Sequence, residues 1–207
     1  QFSEREGVYT PSNSAIIKPM PYLPLHIYSG NSFLRSALPI RRIGGLAQKH
    51  KAVYLSICDY GTCSGFPEIQ RMAKILNVPP VFGMDVEIDG NLLSLFVKSE
   101  EGYRNLLLVD RLFSEKNLTL AFLKEHSAGL EAVLSPQRSF VHSLYRTQAK
   151  EIPSMLSSFS RGFRSFRLGI PYLPEERSFV SFLRDFALHY PYPTLAFPHI
   201  LYEKKED

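Results

Sequence analysis

Short apolar runs alternate with helical patterns along most of this chain. "YLPLHIY" (22–28) reads as a strand, and "IRRIGGLAQKHK" (40–51) as a helix weakened by Gly44-Gly45. "AVYLSIC" (52–58) is an apolar, partly β-branched strand. In "FPEIQRMAKILN" (66–77), Phe66, Ile69, Ala73 and Leu76 fall on one helical face. "PPVFGMDVEI" (79–88) and "LLSLFVK" (92–98) are strands joined by Asp89-Gly90, a strong hairpin signal. Ser99 is placed to cap the helix "EEGYRNLLLVDRLF", with Glu100 and Glu101 in its first turn, where the helix dipole favours acids. A short helix at 119–126, a strand at 130–135, a helix over 138–150, a strand at 163–170, a helix at 174–190 with proline at its start, and a strand at 194–198 complete the series. The β-α-β-α order with one inserted hairpin predicts an α/β fold with a mainly parallel sheet, open or closed into a barrel.

The 207 residues suffice for one well-buried core and are short for two. Residues 1–21, with Pro11, Ser12, Asn13 and Ser14, read as an irregular leader, and 22–207 as the domain. No apolar stretch nears the roughly 20 residues of a membrane helix, and the first residues lack a signal-peptide pattern. Cys58 and Cys63 are the only cysteines; their spacing is neither a structural zinc pattern nor a disulfide framework, so a reducing cytoplasm is expected. The net charge of +4 permits contact with phosphate backbones without requiring it.

In parallel β/α architectures, polar residues at the C-terminal strand ends converge on one face. Here those positions hold His26 and Tyr28, Asp59 and Tyr60, Asp85, Ser135 and Gln137, and His199. Histidines and carboxylates on separate strand ends form either a metal site or ordinary polar caps. Two further features are candidates for chemistry. "SRGFRSFRLG" (160–169) interleaves Arg161, Arg164 and Arg167 with Phe163 and Phe166, which is either a grip on DNA or a strand whose phenylalanines enter the core. Cys63 would need a base within reach to act as a nucleophile, and the sequence assigns none.

"PLHIYSGNSFLRSA", "SICDYGTCSG", "VPPVFGMDVEI", "FVKSEEGYRNLL" and "GLEAVLS" occur in the order and spacing of the polymerase-and-histidinol-phosphatase (PHP) domain, in the version that opens the alpha subunit of bacterial DNA polymerase III. "SEEGYRNLLLVDRL" resembles the polymerase branch rather than the stand-alone phosphatases. The resemblance covers about residues 22–207 and implies a distorted seven-stranded β/α barrel of the PHP type. Complete members bind up to three metal ions at the barrel mouth and hydrolyse phosphoesters, in some polymerases as a 3′–5′ exonuclease.

This chain departs from the family pattern at most ligand positions. His26 is kept, but the next histidine is Tyr28 and the aspartate of that motif is Arg35. Asp59 is kept, while the histidine after it is Tyr60. A glutamate is shortened to Asp85, a later histidine falls at Gln137, and the final aspartate and histidine positions hold His199 and Leu201. A neutral phenol is a poor ligand for divalent metals, and an arginine sets a permanent charge where a cation would sit. The expectation is a degenerate, hydrogen-bonded mouth without metal, in which Arg35 pairs with Asp59 or Asp85.

The resemblance therefore implies a domain non-catalytic by itself. It would serve as a scaffold for the remainder of the polymerase subunit, a DNA-directed nucleotidyltransferase, and would offer a surface to a proofreading exonuclease subunit or to DNA. The rival is a phosphoesterase or 3′–5′ exonuclease using manganese or zinc on His26, Asp59, Asp85 and His199. A third reading is a stand-alone adaptor; a reading frame running many hundreds of residues past Asp207 would favour the polymerase over it.

Overall fold

The computed structural model describes residues 24–171, 176–190 and 192–200. The leader, the start of the strand predicted at 22–28, the start of the helix predicted from 174, and Leu201 lie outside the described residues.

Among the described residues eight strands and seven α-helices follow in chain order: β1 (His26–Ile27), α1 (Ile40–Lys49), β2 (Leu55–Tyr60), α2 (Phe66–Leu76), β3 (Pro80–Ile88), β4 (Asn91–Val97), α3 (Glu100–Ser114), α4 (Leu120–Glu125), β5 (Leu130–Leu134), α5 (Phe140–Leu144), α6 (Ile152–Ser160), β6 (Phe166–Ile170), α7 (Arg177–His189), β7 (Thr194–Ala196) and β8 (His199–Ile200). Strands β2 to β7 form one curled six-stranded sheet in chain order, a half-barrel, and β1 pairs separately with β8. The sheet is mixed: β2–β3, β5–β6 and β6–β7 run parallel, whereas β4 is antiparallel to both neighbours. The Asp89-Gly90 hairpin is the cause. Both residues take positive φ, 50° and 72°, so the chain reverses in two residues and has no room for a crossover helix.

Two boundaries moved for local reasons. β2 begins three residues later than the apolar run suggested and extends through Asp59 and Tyr60, because its ladder to β3 runs from Leu55↔Pro80 to Tyr60↔Asp85. The helix predicted over 138–150 is confined to α5 at 140–144, and α6, over 152–160, lies beyond the predicted range. Pro153 lies at the start of α6, where its missing N–H costs nothing, and Ile152, Leu156 and Phe159 bury one face of that helix.

Partners in register point to the same side of a sheet, and successive residues alternate. One side carries Ile57, Met84, Leu95, Ala132 and Leu134, packed in the main core with the helices. The other, concave side carries Cys58, Phe96 and Val133, which pack with Phe197 in a smaller cluster. Above that cluster lies Asp85 and below it Glu131, bound by Lys98 (3.2 Å), Arg167 (3.2 Å) and Ser165 (2.8 Å). No helix among the described residues is long and apolar enough to cross a membrane.

Candidate functional site

His26 and Tyr28 stand side by side on the concave face, as their i, i+2 spacing requires, with ring centroids 5.3 Å apart in edge-to-face contact. His26 also stacks on Phe197 at 4.5 Å. Both polar tips reach one oxygen of Asp85: His26 Nε2 lies 2.7 Å from Oδ2, and the Tyr28 hydroxyl donates to the same atom at 2.5 Å. The other oxygen, Oδ1, accepts from the Ser94 hydroxyl and, at 3.2 Å, from the Cys58 thiol. Asp85 is completely buried.

Ser94 and Cys58 were not singled out from the sequence. The hairpin held the signal for Ser94: a two-residue turn at 89–90 pairs Ile88 with Asn91 and therefore Asp85 with Ser94. Cys58 follows from strand pairing, which sets it opposite Gly83, two residues before Asp85.

The electrostatics follow from burial and from these donors. Burial pushes the Asp85 carboxyl up, but the nearby His26 and the hydrogen bonds from His26, Ser94 and Tyr28 outweigh it, so the group sits below the usual carboxylate range. Burial and the Asp85 charge push Tyr28 and Cys58 far up, so both keep their protons and act only as donors.

Asp59 occupies a different environment. It pairs in register with Met84 and so faces the helix side of the sheet, not the concave side. Ser29, one residue past Tyr28 and hence also facing outward, donates its N–H (2.6 Å) and hydroxyl (2.8 Å) to Asp59, and Ser32 adds its hydroxyl at 2.6 Å. The Tyr60 N–H donates to Ser32 Oγ at 3.0 Å. Burial nonetheless dominates and holds the Asp59 carboxyl above its ordinary value.

Arg35 does not make the expected ion pair. No carboxylate among the described residues lies within ion-pair distance of it; its guanidinium sits 3.6 Å above the centroid of the Tyr60 ring. The expected pair assumed two carboxylates crowded into one pocket. The alternation of β2 separates Asp59 from Asp85, and each has its own donors, so neither needs a guanidinium. Arg35 takes the exposed π-face instead.

The His199 backbone pairs with His26 through β1 and β8. Gln137 lies half-buried in the turn after β5. Cys63 is buried, with its thiol against Met84 Sδ at 3.7 Å, and burial and the neighbouring Asp110 push its ionisation up.

Residues 24–167 match the family model described as the PHP domain. The chain belongs to the PHP domain family. The alpha subunit of DNA polymerase III from Chlamydia trachomatis is 26% identical over 132 residues, covering 54% of this chain and 11% of that subunit. That from Rickettsia prowazekii is 34% identical over 101 residues, 46% of this chain and 8% of the subunit. The matched PHP region thus spans about a tenth of these relatives' length. Among solved structures, an amidohydrolase from Chromobacterium violaceum with bound sulfate and no metal aligns at a TM-score of 0.58 and 13% identity, covering 89% of this chain and 88% of that one. A protein assigned to the metal-dependent phosphoesterases from Bifidobacterium adolescentis aligns at 0.53, 13% identity and 89% of both chains. These likenesses establish the fold.

The metals of the PHP family can be tested against the donors present. His26, Cys58 and Asp85 offer ligand atoms within 4.8 Å of one another. A carboxylate has about four lone-pair directions. Those of Asp85 are taken by His26, Tyr28, Ser94 and Cys58. Cys58 already spends its thiol proton on Asp85 Oδ1 at 3.2 Å and would have to give it up to a metal. This donor set does not fit a divalent metal. It does fit a fastener: β1 runs beside β2 without joining its ladder, and side chains bridge the gap through Ser56 to the Leu25 carbonyl (2.7 Å), Ser29 to Asp59, and His26 and Tyr28 to Asp85.

The two carboxylates should bias the acid limb of stability in opposite directions. The lowered Asp85 contributes stability above its unfolded value near ~3.9, and that contribution is lost as pH falls through the folded value. The raised Asp59 does the reverse, costing stability as pH rises from the unfolded value through its own. Asp59→Asn should therefore steepen the acid-side loss and Asp85→Asn should flatten it. Urea midpoints across the acid range check both; equal slopes in all three proteins would refute the assignment.

Proposed function

We propose that this PHP domain is a non-catalytic scaffold within the alpha subunit of a bacterial replicative DNA polymerase in the cytoplasm, docked on the remainder of that subunit. The carrying observation is the saturation of Asp85 by four protein donors at the place where a metal would need its lone pairs. The likeness to polymerase alpha subunits supports the setting. The nucleotidyl-transfer chemistry would then belong to another part of the polymerase, and a proofreading exonuclease subunit is a candidate neighbour. In the same reading, the β1–β8 pair closes the six-stranded sheet into the family's distorted barrel.

The adjacent Phe33 and Leu34, 82% and 90% exposed in the loop after β1, are suited to such docking. Leu34 holds a positive φ of 57°, a conformation unfavourable for leucine that leaves its side chain in solvent.

The second reading, a phosphoesterase with a reduced metal site, is favoured by the proximity of His26, Cys58 and Asp85. Asp59 cannot join that group from the opposite face of the sheet. Calorimetric titration with manganese and zinc, beside a chromogenic phosphodiester assay, separates the two. The scaffold gives no saturable binding and no turnover above buffer. Micromolar or tighter affinity, with turnover abolished by His26→Ala, would overturn it. Arg35→Asp combined with Tyr28→His and Tyr60→His should raise metal affinity from that baseline, because it returns donors to the mouth.

A further inference from the structure

The turn between α6 and β6 carries cations that the concave-face network does not use. From residue 152 to residue 173 the chain has no acidic residue. Arg161 and Arg164 are exposed there. The turn packs on the stem of Lys124: Gly162, at φ 100°, lies so close that a Cβ would sit 3.3 Å from Lys124 Cδ. The Lys124 ammonium stands 5.9 Å from the ring centroids of both Phe159 and Phe163, and 3.4 Å from the Ser158 carbonyl oxygen. The Arg164 N–H donates to Ser127 Oγ at 3.1 Å, which fixes the turn against the residues leading into β5.

None of Arg161, Arg164 and Lys124 has a carboxylate within 4.0 Å among the described residues. Arg167 differs. It points to the concave side and is bound to Glu131, which also takes Lys98 and Ser165. The phenylalanines differ too: Phe159, Phe163 and Phe166 pack on one another and with the main core, so they offer no stacking platform.

We propose that Lys124, Arg161 and Arg164 form a contact surface for the phosphate backbone of nucleic acid, at the end of the sheet away from the Asp85 hub. Guanidinium forks suit phosphate oxygens, and no aromatic face accompanies them on which a base could stack. The choice of nucleic acid among polyanions rests on the replicative reading; the contact itself rests on the unpaired cations.

The test is fluorescence anisotropy of the 207-residue chain with a labelled mixed-sequence duplex of about 20 base pairs across a salt series. Three phosphate contacts give a log–log salt slope of about −2.7, or about 40-fold weaker binding between roughly 50 and 200 mM salt. Arg161→Gln and Arg164→Gln should each reduce the slope by about 0.9. Arg111→Gln is the control. It removes the same charge from the far end of the molecule, where the neighbouring Asp110 accepts the Cys63 N–H in the loop after β2. It should leave the slope unchanged. Absence of binding at low salt, equal losses in Arg111→Gln and Arg161→Gln, or displacement of the duplex by an equal charge of polyglutamate would each overturn the proposal. These variants lie away from the hub, so a negative result leaves the metal titration to judge the scaffold reading independently.

Discussion

Replacing Asp85 with alanine should destabilise the domain by about 3–5 kcal/mol, the range found when one partner of a buried charged pair is removed. For a chain of this size that is a fall in Tm of about 10 °C. The substitution strands four buried donors at once. His26 Nε2, the Tyr28 and Ser94 hydroxyls and the Cys58 thiol would all point into a void with no acceptor. It also cuts the link between β1 and β3, residues almost 60 positions apart in sequence. Asp85→Asn should cost less, since one carbonyl oxygen still accepts, although its amide then faces donors. Chemical denaturation with and without a chelator is the measurement. If the loss is below about 1 kcal/mol, Asp85 is not a fastener. If the chelator destabilises the unmodified protein, a metal is holding the mouth.

Gly102→Ala should be nearly as damaging, about 3 kcal/mol, at or above the upper end of the cost of overpacking. A Cβ at Gly102 would lie 1.9 Å from the Gly129 carbonyl oxygen and 2.4 Å from its carbon. Both atoms are backbone, so no side chain can swing aside. Gly129 has φ 70°, and its own carbonyl accepts the Lys98 N–H at 2.8 Å, so the turn into β5 cannot simply recede. Ser99 caps the same helix end by accepting the Gly102 N–H, and Asn105 donates to the Ala128 carbonyl at 2.9 Å. Thermal unfolding of Gly102→Ala beside Gly45→Ala checks the argument. Gly45 is a helical glycine with nothing within 4 Å of its Cβ position, where alanine should be neutral or stabilising. A loss at Gly102 no greater than at Gly45 would mean that the helix adjusts.

This second case explains "SEEGYRNL", the stretch that most resembles the polymerase branch. Its serine, glycine and asparagine tie the start of α3 to the turn before β5, and its tyrosine packs between Phe66 and Phe82. None of the four meets the Asp85 hub. What the motif encodes here is a close helix-to-turn contact.

The sequence by itself determined a good deal. Alternating apolar runs and amphipathic segments place most of β2 to β7 and the long helices, since burial imposes the period on each element. Asp89-Gly90 dictates its turn, since its backbone tolerates positive φ at both positions. The i, i+2 spacing puts His26 and Tyr28 together. The tertiary structure decided the rest. Only strand register sets Asp85 among Cys58, Ser94, His26 and Tyr28, and turns Asp59 away to Ser29 and Ser32. Only the packing of neighbouring elements shows that Arg167 is neutralised by Glu131, while Arg161 and Arg164 have no carboxylate within reach among the described residues. The physical reason is common to these cases. Periodicity is a property of one segment, whereas the partner of a buried charge is chosen by alignment between segments, and a shift of one residue in β2 would exchange Asp59 for its neighbours on the concave face.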